Sequence, residues 1–557
     1  MEKAQRCPEK DTMVRRVAVI GAGASGLASI KCCLDEGLEP TCFERSDDIG
    51  GLWCFTDTVD CGRTSVYRSV ITNTSKEMSC FSDFPCPEDF PNYLPHHQLL
   101  EYFRMYAQRF DLLRHIRFKT TVCSVRKRPD FSTSGQWDVV TETEAGQESH
   151  IFDAVMVCTG HYQEPLLPLA SFPGIETCFK GRHLHSREYR DAEGFQGKRV
   201  LVVGIGNSGG DISVELSRVA AKVFLSARSS TWVFSRISDH GFPFDMVVTT
   251  RFKHFLDWLL PSAIMERIRF WKFNSWFNHT NYGLASVKSS KFNIIINEEL
   301  PFCLLSGTVV LKPTVKEFTE SSAVFEDGTT ENIDVVLFAT GYAFSFPFLE
   351  DSVRSLFKHS CSLYKCIFPP QLEKPTLAFI GLVQLTGSVM VGAEMQARWV
   401  TGIFAGSNKL PPVSRMMADI SKKEKQLVKR NPAEVNMWMS FISYTDEIAS
   451  CAGIKPSVLR LLLTDPRLGL AVFFGPCSPY QYRLVGRGRW SGARSAILTQ
   501  WQRALKPLRT RVIDDSSDSS SSLPWLCLLA LPAVLVAGFL FSKYARPWWI
   551  PRAGFHL

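Results

Sequence analysis

The sequence predicts an α/β fold built from two similar units, each containing a strand, a glycine-rich turn, a helix and a second strand. Two observations predict it. The glycine turns Gly21–Gly26 and Gly204–Gly210 follow the apolar runs Val17–Ile20 and Val200–Val203. The pattern D-x-V-x-x-x-T-G then ends both units, at Asp153–Gly160 and Asp334–Gly341. Because two such units in one chain are hard to obtain by chance, we expect an internal repeat with two Rossmann-like domains.

The glycine turns predict a dinucleotide site in each unit. The first glycine permits a tight turn, the second lets the backbone approach a pyrophosphate, and the third lets the helix pack on the strand. The pyrophosphate then lies at the helix N-terminus. A structural turn that binds nothing is the alternative. The predicted binding residues are Gly21, Ala22, Gly23, Ala24, Ser25 and Gly26 in the first turn and Gly204, Gly206, Asn207, Ser208, Gly209 and Gly210 in the second.

The two units differ where their second strand ends. The first ends at Glu44, whereas the second ends in Ser226-Ala-Arg228. A carboxylate accepts hydrogen bonds from free ribose hydroxyls and repels phosphate, whereas an arginine binds a 2′-phosphate. We therefore expect FAD or NAD in the first unit and NADPH in the second. The alternative for Arg228 is a solvated surface charge.

Two segments that follow the second strand of the first unit suit a cofactor edge. The paired glycines of Gly50–Trp53 indicate backbone pressed against a ligand, and Trp53 either stacks on a flat ring or fills the core. Thr72, Asn73 and Thr74 place hydroxyl and amide groups beside an apolar run, although such a segment alone is also typical of a turn.

Composition excludes several classes of protein. The 63 basic and 55 acidic residues give a net charge of +8 that is spread along the chain, which indicates no nucleic-acid partner. The 17 cysteines include no C-x-x-C pair, so we expect reduced thiols, no redox dithiol and no metal site. Residues 1–16 lack an apolar signal sequence. Two dinucleotides without a dithiol favour hydride transfer from NADPH to flavin, with dioxygen as the electron acceptor.

The segment Phe179–Tyr189 fits the signature F-x-G-x-x-x-H-x-x-x-[YF] of flavin-containing monooxygenases. Three further features accompany this signature: the two glycine turns, the sequence Gly-Gly-Leu-Trp at residues 50–53, and the segment Phe338–Tyr342. With them the chain resembles the vertebrate microsomal members of that family over residues 14–541. Tyr189 stands where Baeyer–Villiger relatives usually have tryptophan. This difference favours the branch that oxidises heteroatoms and forms N-oxides.

The resemblance implies a role for each matched residue. Residues Gly21–Ser25 and Glu44 would hold FAD, and Asn207–Gly210 with Arg228 would hold NADPH. Leu52 and Trp53 would line the flavin, while Thr72, Asn73 and Thr74 match the segment that touches flavin and nicotinamide. Asn73 is the residue that we expect to take part in the reaction. His185 would set the angle between domains.

The resemblance also implies a mechanism. NADPH reduces the flavin, dioxygen adds at flavin C4a to give a hydroperoxide, and a soft nucleophile attacks it. The expected substrate is a small lipophilic amine or sulfide, and the protein contributes positioning and water exclusion.

The chain departs from the common family pattern in two loops. Gln384–Val391 lacks the usual prolines, and Arg487 replaces a common proline. Three alternatives therefore stay open: an uncoupled NADPH oxidase, a Baeyer–Villiger-type monooxygenase, and a low-turnover membrane-anchored nucleotide-binding protein.

Two regions indicate a membrane. Residues 230–300 interleave aromatic and basic side chains, which suits a lipid interface, a substrate tunnel or an ordinary aromatic core. After the polar linker Asp514–Ser522, Leu523–Phe541 carries no charge and would span about 28 Å as a helix, close to the hydrocarbon thickness of a bilayer. We expect an anchor in the endoplasmic reticulum membrane with the catalytic body facing the cytosol. The sequence also allows a homo-oligomer.

The predicted domains follow from these segments. They are a first part of the FAD-binding domain at 1–165, an NADPH-binding domain at 166–330 with its insertion at 230–300, a second part of the FAD-binding domain with a C-terminal region at 331–510, and a linker with the membrane anchor at 511–557.

Overall fold

The computed structural model divides the chain into two compact units, residues 1–508 and residues 509–557, and only 509–511 of the second are described. None of the helices in the described stretches combines the length and apolar composition needed to span a bilayer. The predicted linker Asp514–Ser522 and membrane helix Leu523–Phe541 lie outside the described residues. The described stretches are 15–59, 64–285, 293–355, 362–430 and 438–511.

The first third of the chain contains the first glycine turn and an antiparallel meander. Its elements are β1 (Arg16–Ile20), α1 (Ala24–Asp35), β2 (Glu39–Phe43), α2 (Lys76–Ser79), α3 (His96–Arg109), β3 (Ile116–Arg117), β4 (Thr121–Lys127), α4 (Phe131–Ser134), β5 (Trp137–Thr143), β6 (Gly146–Phe152) and β7 (Ala154–Val157).

The middle of the chain contains the second glycine turn and the insertion. Its elements are β8 (Glu164–Pro165), β9 (Arg182–His185), β10 (Arg199–Val203), α5 (Asn207–Leu216), β11 (Lys222–Ser226), β12 (Thr231–Phe234), α6 (Phe244–Val248), α7 (Arg251–Leu259), α8 (Ser262–Phe273), β13 (Asn293–Ile296), α9 (Leu300–Leu305), β14 (Val309–Lys312), β15 (Val315–Phe318), β16 (Ser322–Phe325), β17 (Thr330–Asn332) and β18 (Val335–Phe338).

The last part of the body is mainly helical. Its elements are β19 (Tyr342–Ala343), α10 (Asp351–Arg354), β20 (Leu377–Phe379), β21 (Gln384–Leu385), α11 (Val389–Phe404), α12 (Val413–Arg430), β22 (Trp438–Met439), α13 (Phe441–Cys451), α14 (Val458–Thr464), α15 (Pro466–Phe474) and α16 (Ala493–Leu505).

The first parallel sheet has the strand order β20-β7-β1-β2-β3. In its central strand, Val17 pairs with Pro40 of β2 and Ala154 of β7, and the strand is buried on both faces. A near-continuous apolar run is what a parallel strand covered on both sides requires. Helix α11 packs on α1, so the last part of the chain returns to this sheet.

The second parallel sheet has the order β14-β11-β10-β18-β9 and repeats the arrangement of the first. In each, the strand before the glycine turn is central and lies between the next strand and the strand of the D-x-V pattern. The aspartate of that pattern has a structural reason: Asp153 Oδ2 accepts from Arg16 N at 2.9 Å, and Asp334 Oδ2 accepts from Arg199 N at 2.7 Å. The predicted internal repeat is therefore present.

The two crossovers between the sheets run side by side. Tyr342 and Ala343 of β19 pair antiparallel with Pro165 and Glu164 of β8, directly after the two T-G sequences. Strand β18 belongs to the second sheet, so the predicted boundary at residue 330 falls before the closing strand of that domain.

The aromatic residues of the insertion are divided between a buried cluster and an exposed surface. Trp232 and Phe234 are buried in a cluster with Phe273 and neighbouring rings. Trp258 on α7 and Trp271 on α8, in contrast, are exposed over 77% and 73% of their surface. The insertion therefore has its own small core and an exposed aromatic face.

Candidate functional site

The first glycine turn leaves no room for side chains at its first and third glycines. Gly21 has a φ of +99°, and a Cβ there would lie 3.0 Å from the Cys158 carbonyl oxygen. A Cβ on Gly26 would collide with the Gly21 carbonyl oxygen, so the close approach of α1 to the turn requires glycine. Helix α1 begins after Gly23 without a side-chain cap, which leaves its first N–H groups directed at the space before the helix.

The second glycine turn has the same geometry. Gly204 has a φ of +109°, and a Cβ there would lie 2.5 Å from the Ala339 carbonyl oxygen. A Cβ on Gly209 would collide with the Gly204 carbonyl oxygen. Helix α5 begins after Gly206, again without a side-chain cap. The predicted turns Gly21–Gly26 and Gly204–Gly210 therefore form two equivalent cradles at helix N-termini.

The middle glycine of the second turn, Gly206, distinguishes between two interpretations of that turn: a purely structural turn and a turn that binds a ligand. Gly206 has a φ of −88°, which any residue adopts, and a Cβ there would meet nothing within 4 Å. The protein's own packing does not require glycine at this position. The open space is where a dinucleotide pyrophosphate approaches the backbone, so the cradle fits such a ligand.

Glu44 lies at the end of β2 beside the first turn and is 8% exposed. Its Oε2 accepts from Ala22 N at 2.8 Å, and its Oε1 accepts from Ser46 N at 2.9 Å and Ser46 Oγ at 2.8 Å. A carboxylate has about four acceptor positions, so about one remains for a ligand hydroxyl. Glu44 thus also fixes the turn, a second role that its position in the sequence did not reveal.

Arg228 is exposed and lies two residues beyond β11. The end of that strand contacts the second turn, because Gly204 N donates to Ser226 O at 3.0 Å. Arg228 has no hydrogen-bond or ion-pair partner among the residues that the structure describes. A free cation beside the second cradle suits a phosphate, while a solvated charge stays the alternative.

Two of the other residues of the second turn hold α5 against β13, and a third is exposed to solvent. Asn207 Oδ1 accepts from Ile296 N at 3.0 Å, so this side chain holds α5 against β13. A Cβ on Gly210 would lie 3.2 Å from Ile295 Cδ1, so this glycine allows the same packing. Ser208 is exposed at the first turn of α5.

The paired glycines Gly50 and Gly51 pack against the first turn. Gly50 N donates to Ala22 O at 3.0 Å, and a Cβ on Gly51 would lie 3.2 Å from Gly23 Cα. Backbone therefore meets backbone here, which explains the glycines without a ligand. Leu52 and Trp53 follow in a single helical turn and are half-buried, with Trp53 packed on the edge of the core. Both alternatives for Trp53 stay open.

The segment Thr72–Thr74 is held by contacts from two directions. Thr72 Oγ1 accepts from Leu94 N at 2.9 Å, and Thr74 Oγ1 lies 2.5 Å from Ser79 Oγ. Asn73 Oδ1 accepts from Arg236 Nη2 at 2.8 Å. The asparagine side chain is thus fixed by a cation from the insertion of the second unit.

Arg236 is a site residue that sequence reasoning missed. It is buried, it follows β12, and its Nε also donates to Thr72 O at 3.2 Å. Its Nη1 donates to both carboxylate oxygens of Glu298, at 3.0 and 3.2 Å. Glu298 follows β13, which pairs with β12. Only the spacing of an arginine and a glutamate after two apolar runs signalled this contact.

A second group of bonds ties the same segment to α5. Tyr67 Oη donates to Asp211 Oδ2 at 2.6 Å, and Asn297 Nδ2 donates to Asp211 Oδ1 at 2.7 Å. Burial raises the pKa of Asp211, although both hydrogen bonds lower it. Ser69 Oγ also donates to Glu215 Oε2 at 2.6 Å. Segment 67–75 is therefore held against the second unit through α5 and Arg236.

His185 of the signature lies between the two crossovers. Its Nδ1 accepts from Arg187 N at 3.1 Å, so its Nε2 carries the proton and donates to Gly341 O at 3.1 Å. Burial lowers the pKa of His185, which favours the neutral ring. The histidine thus joins the signature segment to the second T-G sequence.

No group of three or more histidine, cysteine, aspartate or glutamate side chains within the described stretches is arranged to hold a metal ion.

A family model described as flavin-binding monooxygenase-like matches residues 14–543. The chain is 57% identical over 534 residues to dimethylaniline monooxygenase (N-oxide-forming) 4 of Homo sapiens, covering 95% of each chain. It is 55% identical to flavin-containing monooxygenase 2 of Homo sapiens, covering 95% of this chain and 99% of the relative. Among solved structures, S-allyl-L-cysteine S-oxygenase from Allium sativum has a TM-score of 0.60 at 24% identity, covering 88% of this chain and 98% of the other. A cyclohexanone monooxygenase bound to ε-caprolactone has a TM-score of 0.57 at 16% identity, covering 79% and 98%.

Proposed function

The chain belongs to the flavin-binding monooxygenase family, and from this premise we propose how its two cradles and the segment between them divide the reaction. The protein is a flavin-containing monooxygenase that uses FAD, NADPH and dioxygen to oxidise xenobiotic compounds. The bound flavin supplies the activation of oxygen, and NADPH supplies the hydride. The uncoupled oxidase, the Baeyer–Villiger-type enzyme and the low-turnover nucleotide-binding protein are not favoured by these relatives.

FAD lies in the first cradle in this proposal. The N–H groups at the start of α1 hold its pyrophosphate, and the carboxylate of Glu44 accepts from a ribose hydroxyl. Support comes from the position of Glu44 against the turn, which places its remaining acceptor position at the end of the cradle. Leu52 and Trp53 line the flavin side of the same turn.

NADPH lies in the second cradle. The open space over Gly206 admits the pyrophosphate, and Arg228 binds the 2′-phosphate that distinguishes NADPH from NADH. This contrast in charge between Glu44 and Arg228 is the observation that carries the assignment. Asn207–Gly210 serve as the helix start on which the pyrophosphate lies.

Asn73 directs an amide donor toward the reacting groups. Because a guanidinium only donates, its bond from Arg236 fixes the asparagine oxygen, and the Nδ2 group faces away from it. Asn73 Nδ2 has no acceptor among the described residues, so its two N–H groups are free for a cofactor edge. Arg236 and Glu298 act by holding this orientation.

The substrate is a small lipophilic compound with a soft nucleophilic nitrogen or sulfur. The chain itself needs only to bind, orient and exclude water, because the reactive oxygen comes from the cofactor. The contacts of segment 67–75 with Asp211 of α5 and with Arg236 support this role, since they hold the segment against the second unit.

The exposed aromatic face of the insertion contacts the membrane. It comprises Trp258, Phe255, Ile264, Ile268 and Trp271 on α7 and α8, with Leu459 and Leu463 on α14. Helix α7 packs on α15 through Phe252 and Phe474, whose ring centres lie 5.1 Å apart, and α14 packs on α15 as well. Exposed tryptophans among basic residues are typical of an interfacial surface.

The protein is placed in the endoplasmic reticulum membrane with its catalytic body in the cytosol. The many buried thiols and the need for NADPH support this placement. The C-terminal anchor and a homo-oligomer stay proposals of the same kind, as do the domain limits other than the one at residue 330, which moves past β18.

The coupling of NADPH use to product formation tests the function. We expect the purified protein to carry FAD and to form about one oxidised amine or sulfide per NADPH consumed. Release of peroxide in place of product would favour the oxidase, and a colourless protein without turnover would contradict the proposed function.

A further inference from the structure

Helix α2 follows the segment Thr72–Thr74 almost directly, and it contains only the four residues Lys76–Ser79. A helix of this length does not form without tertiary contacts, because a single turn does not repay the cost of nucleation. The side chains that hold α2 in place therefore also restrain Asn73, which lies three residues before the helix.

Glu77 of α2 is fully buried and forms a two-point ion pair with Arg503. Arg503 Nε donates to Glu77 Oε1 at 3.0 Å, and Arg503 Nη2 donates to Glu77 Oε2 at 2.5 Å. Tyr480 Oη donates to the same Oε2 at 3.0 Å. Because the guanidinium presents its donors in a rigid fork, this pair fixes the direction of the carboxylate as well as its distance.

Arg503 belongs to α16, 426 residues further along the chain than Glu77. The rest of its guanidinium is bonded within α16, where Nη1 donates to Thr499 Oγ1 at 2.6 Å and Nη2 also donates to Ala496 O at 2.9 Å. These bonds hold the arginine side chain against its own helix. Any displacement of α16 is therefore passed to Glu77 and to α2.

Further contacts hold α16 against the same region. Asn92 Nδ2 donates to Ala504 O at 2.8 Å, and Asn92 O accepts from Lys76 N at 2.7 Å. Ala504 also forms a small buried cluster with Met78 of α2 and Met246 of α6. The last helix of the described body thus packs on the short helix that follows Asn73.

We propose that Arg503 is a positioning residue of the monooxygenase reaction, which holds Asn73 in place through Glu77 and α2. This inference rests on the proposed role of Asn73 and deepens it. Arg236 fixes the Asn73 amide oxygen from the insertion, whereas Arg503 fixes the helix that follows the segment. Loss of the second restraint lets the segment shift, and water then reaches the reacting groups.

The simplest competing role for Arg503 is general stability. A buried ion pair that loses one partner destabilises a protein wherever the pair lies. Lys365 provides a matched comparison, because its side chain is 7% exposed against 8% for Arg503. Its ion pairs with Asp419 and Glu447 hold α12 and α13 rather than α2.

The full-length holoenzyme is measured, with the ratio of oxidised sulfide to peroxide formed from NADPH as the readout. We expect Arg503→Met and Lys365→Met both to lower Tm, because each removes the cation of an inaccessible ion pair. Only Arg503→Met should lower the ratio of product to peroxide, by about tenfold. Equal ratios in the two variants would overturn the inference.

The partner residue gives a second, milder variant. Glu77→Gln keeps the volume of the side chain and one acceptor oxygen, and should lower the same ratio severalfold. If Arg503 acts through Glu77, the double variant should lose no more than Arg503→Met alone, since residues that form one pair have non-additive effects. Losses that multiply in the double variant would overturn the inference.

Amide hydrogen exchange shows where the restraint acts. Residues 72–79 should exchange about tenfold faster in Arg503→Met than in wild type, with little change in the meander of β4, β5 and β6. Lys365→Met should leave the exchange of residues 72–79 nearly unaltered. Wild-type exchange of these residues in Arg503→Met would overturn the inference.

Asn73→Asp separates a failure of this inference from a failure of the proposed function. Peroxide release by Asn73→Asp together with full product formation by Arg503→Met would overturn only the role of Arg503. A wild-type protein that oxidises neither amines nor sulfides would instead refute the proposed function.

Discussion

Arg236 Nη2 donates to Asn73 Oδ1 at 2.8 Å, and this bond joins the segment after the first glycine turn to the insertion of the second domain. The same guanidinium forms a two-point ion pair with Glu298. A single buried cation therefore fixes the Asn73 amide, which we propose lies beside the reacting groups, and connects the ends of both strands of the insertion. The orientation of Asn73 therefore depends on how the insertion of the second domain packs against the first domain.

Asn73→Asp is expected to uncouple the reaction while FAD stays bound. The aspartate keeps the bond to Arg236 but loses the amide donor and adds a charge beside the flavin. Product per NADPH should fall severalfold, and peroxide should rise by the same amount. The two are measured together in one assay. Unchanged coupling would remove Asn73 from the chemistry.

Arg236→Lys tests whether holding Asn73 requires a guanidinium. Lysine cannot contact Asn73, Thr72 and Glu298 with the same fork geometry. We expect a loss of about 1–3 kcal/mol in the free energy of unfolding together with partial uncoupling. Arg354→Lys, an exposed pair on α10, is the matched control and should alter neither. Full coupling in Arg236→Lys would show that the charge alone is enough.

Gly206→Ala and Gly209→Ala should separate binding from folding. A Cβ on Gly206 enters open space, so the variant should fold with nearly unchanged stability but show a KM for NADPH raised about tenfold. A Cβ on Gly209 collides with Gly204 O, so that variant should lose about 2 kcal/mol or more of stability. Thermal unfolding with and without NADP⁺ measures both effects. Normal NADPH kinetics in Gly206→Ala would contradict the placement of the pyrophosphate.

The exposed aromatic face can be tested with a double variant. Trp258→Glu with Trp271→Glu places charges on the surface proposed to meet lipid, and should weaken sedimentation with anionic liposomes about tenfold or more. Phe302→Glu with Leu305→Glu alters an equally exposed apolar pair on α9, outside this face, and serves as the control. If both pairs had equal effects, general hydrophobicity would explain the binding.

The sequence allowed prediction of those features that local backbone geometry demands. Gly21, Gly26, Gly204, Gly209 and the aspartates of the repeat follow from contacts inside the repeated unit, among its first strand, its glycine turn and the strand of the D-x-V pattern, and the structure shows these contacts. Arg236 was missed because it reaches Asn73 from the insertion, 163 residues further along the chain. Only the packing of the insertion onto the first domain brings it there, and no motif or repeat encodes this contact.

Two other features depended equally on tertiary structure. The paired glycines Gly50 and Gly51 suggested contact with a ligand, and the structure shows that each also contacts the first turn: Gly50 N donates to Ala22 O, and a Cβ on Gly51 would lie 3.2 Å from Gly23 Cα. The composition of residues 230–300 did not reveal which aromatic residues are buried. Trp232 and Trp258 have the same chemistry, and only the pairing of β12 with β13 assigns Trp232 to the interior.

The preference for NADPH over NADH in wild type and Arg228→Ala tests the central claim most directly, namely that FAD occupies the cradle of Glu44 and NADPH that of Arg228. We predict that wild type favours NADPH in kcat/KM and that Arg228→Ala reduces this preference about tenfold or more, with the amount of bound FAD unchanged. Arg354→Ala should behave as wild type. An undiminished preference in Arg228→Ala, or loss of FAD from that variant, would contradict the assignment of the two cradles.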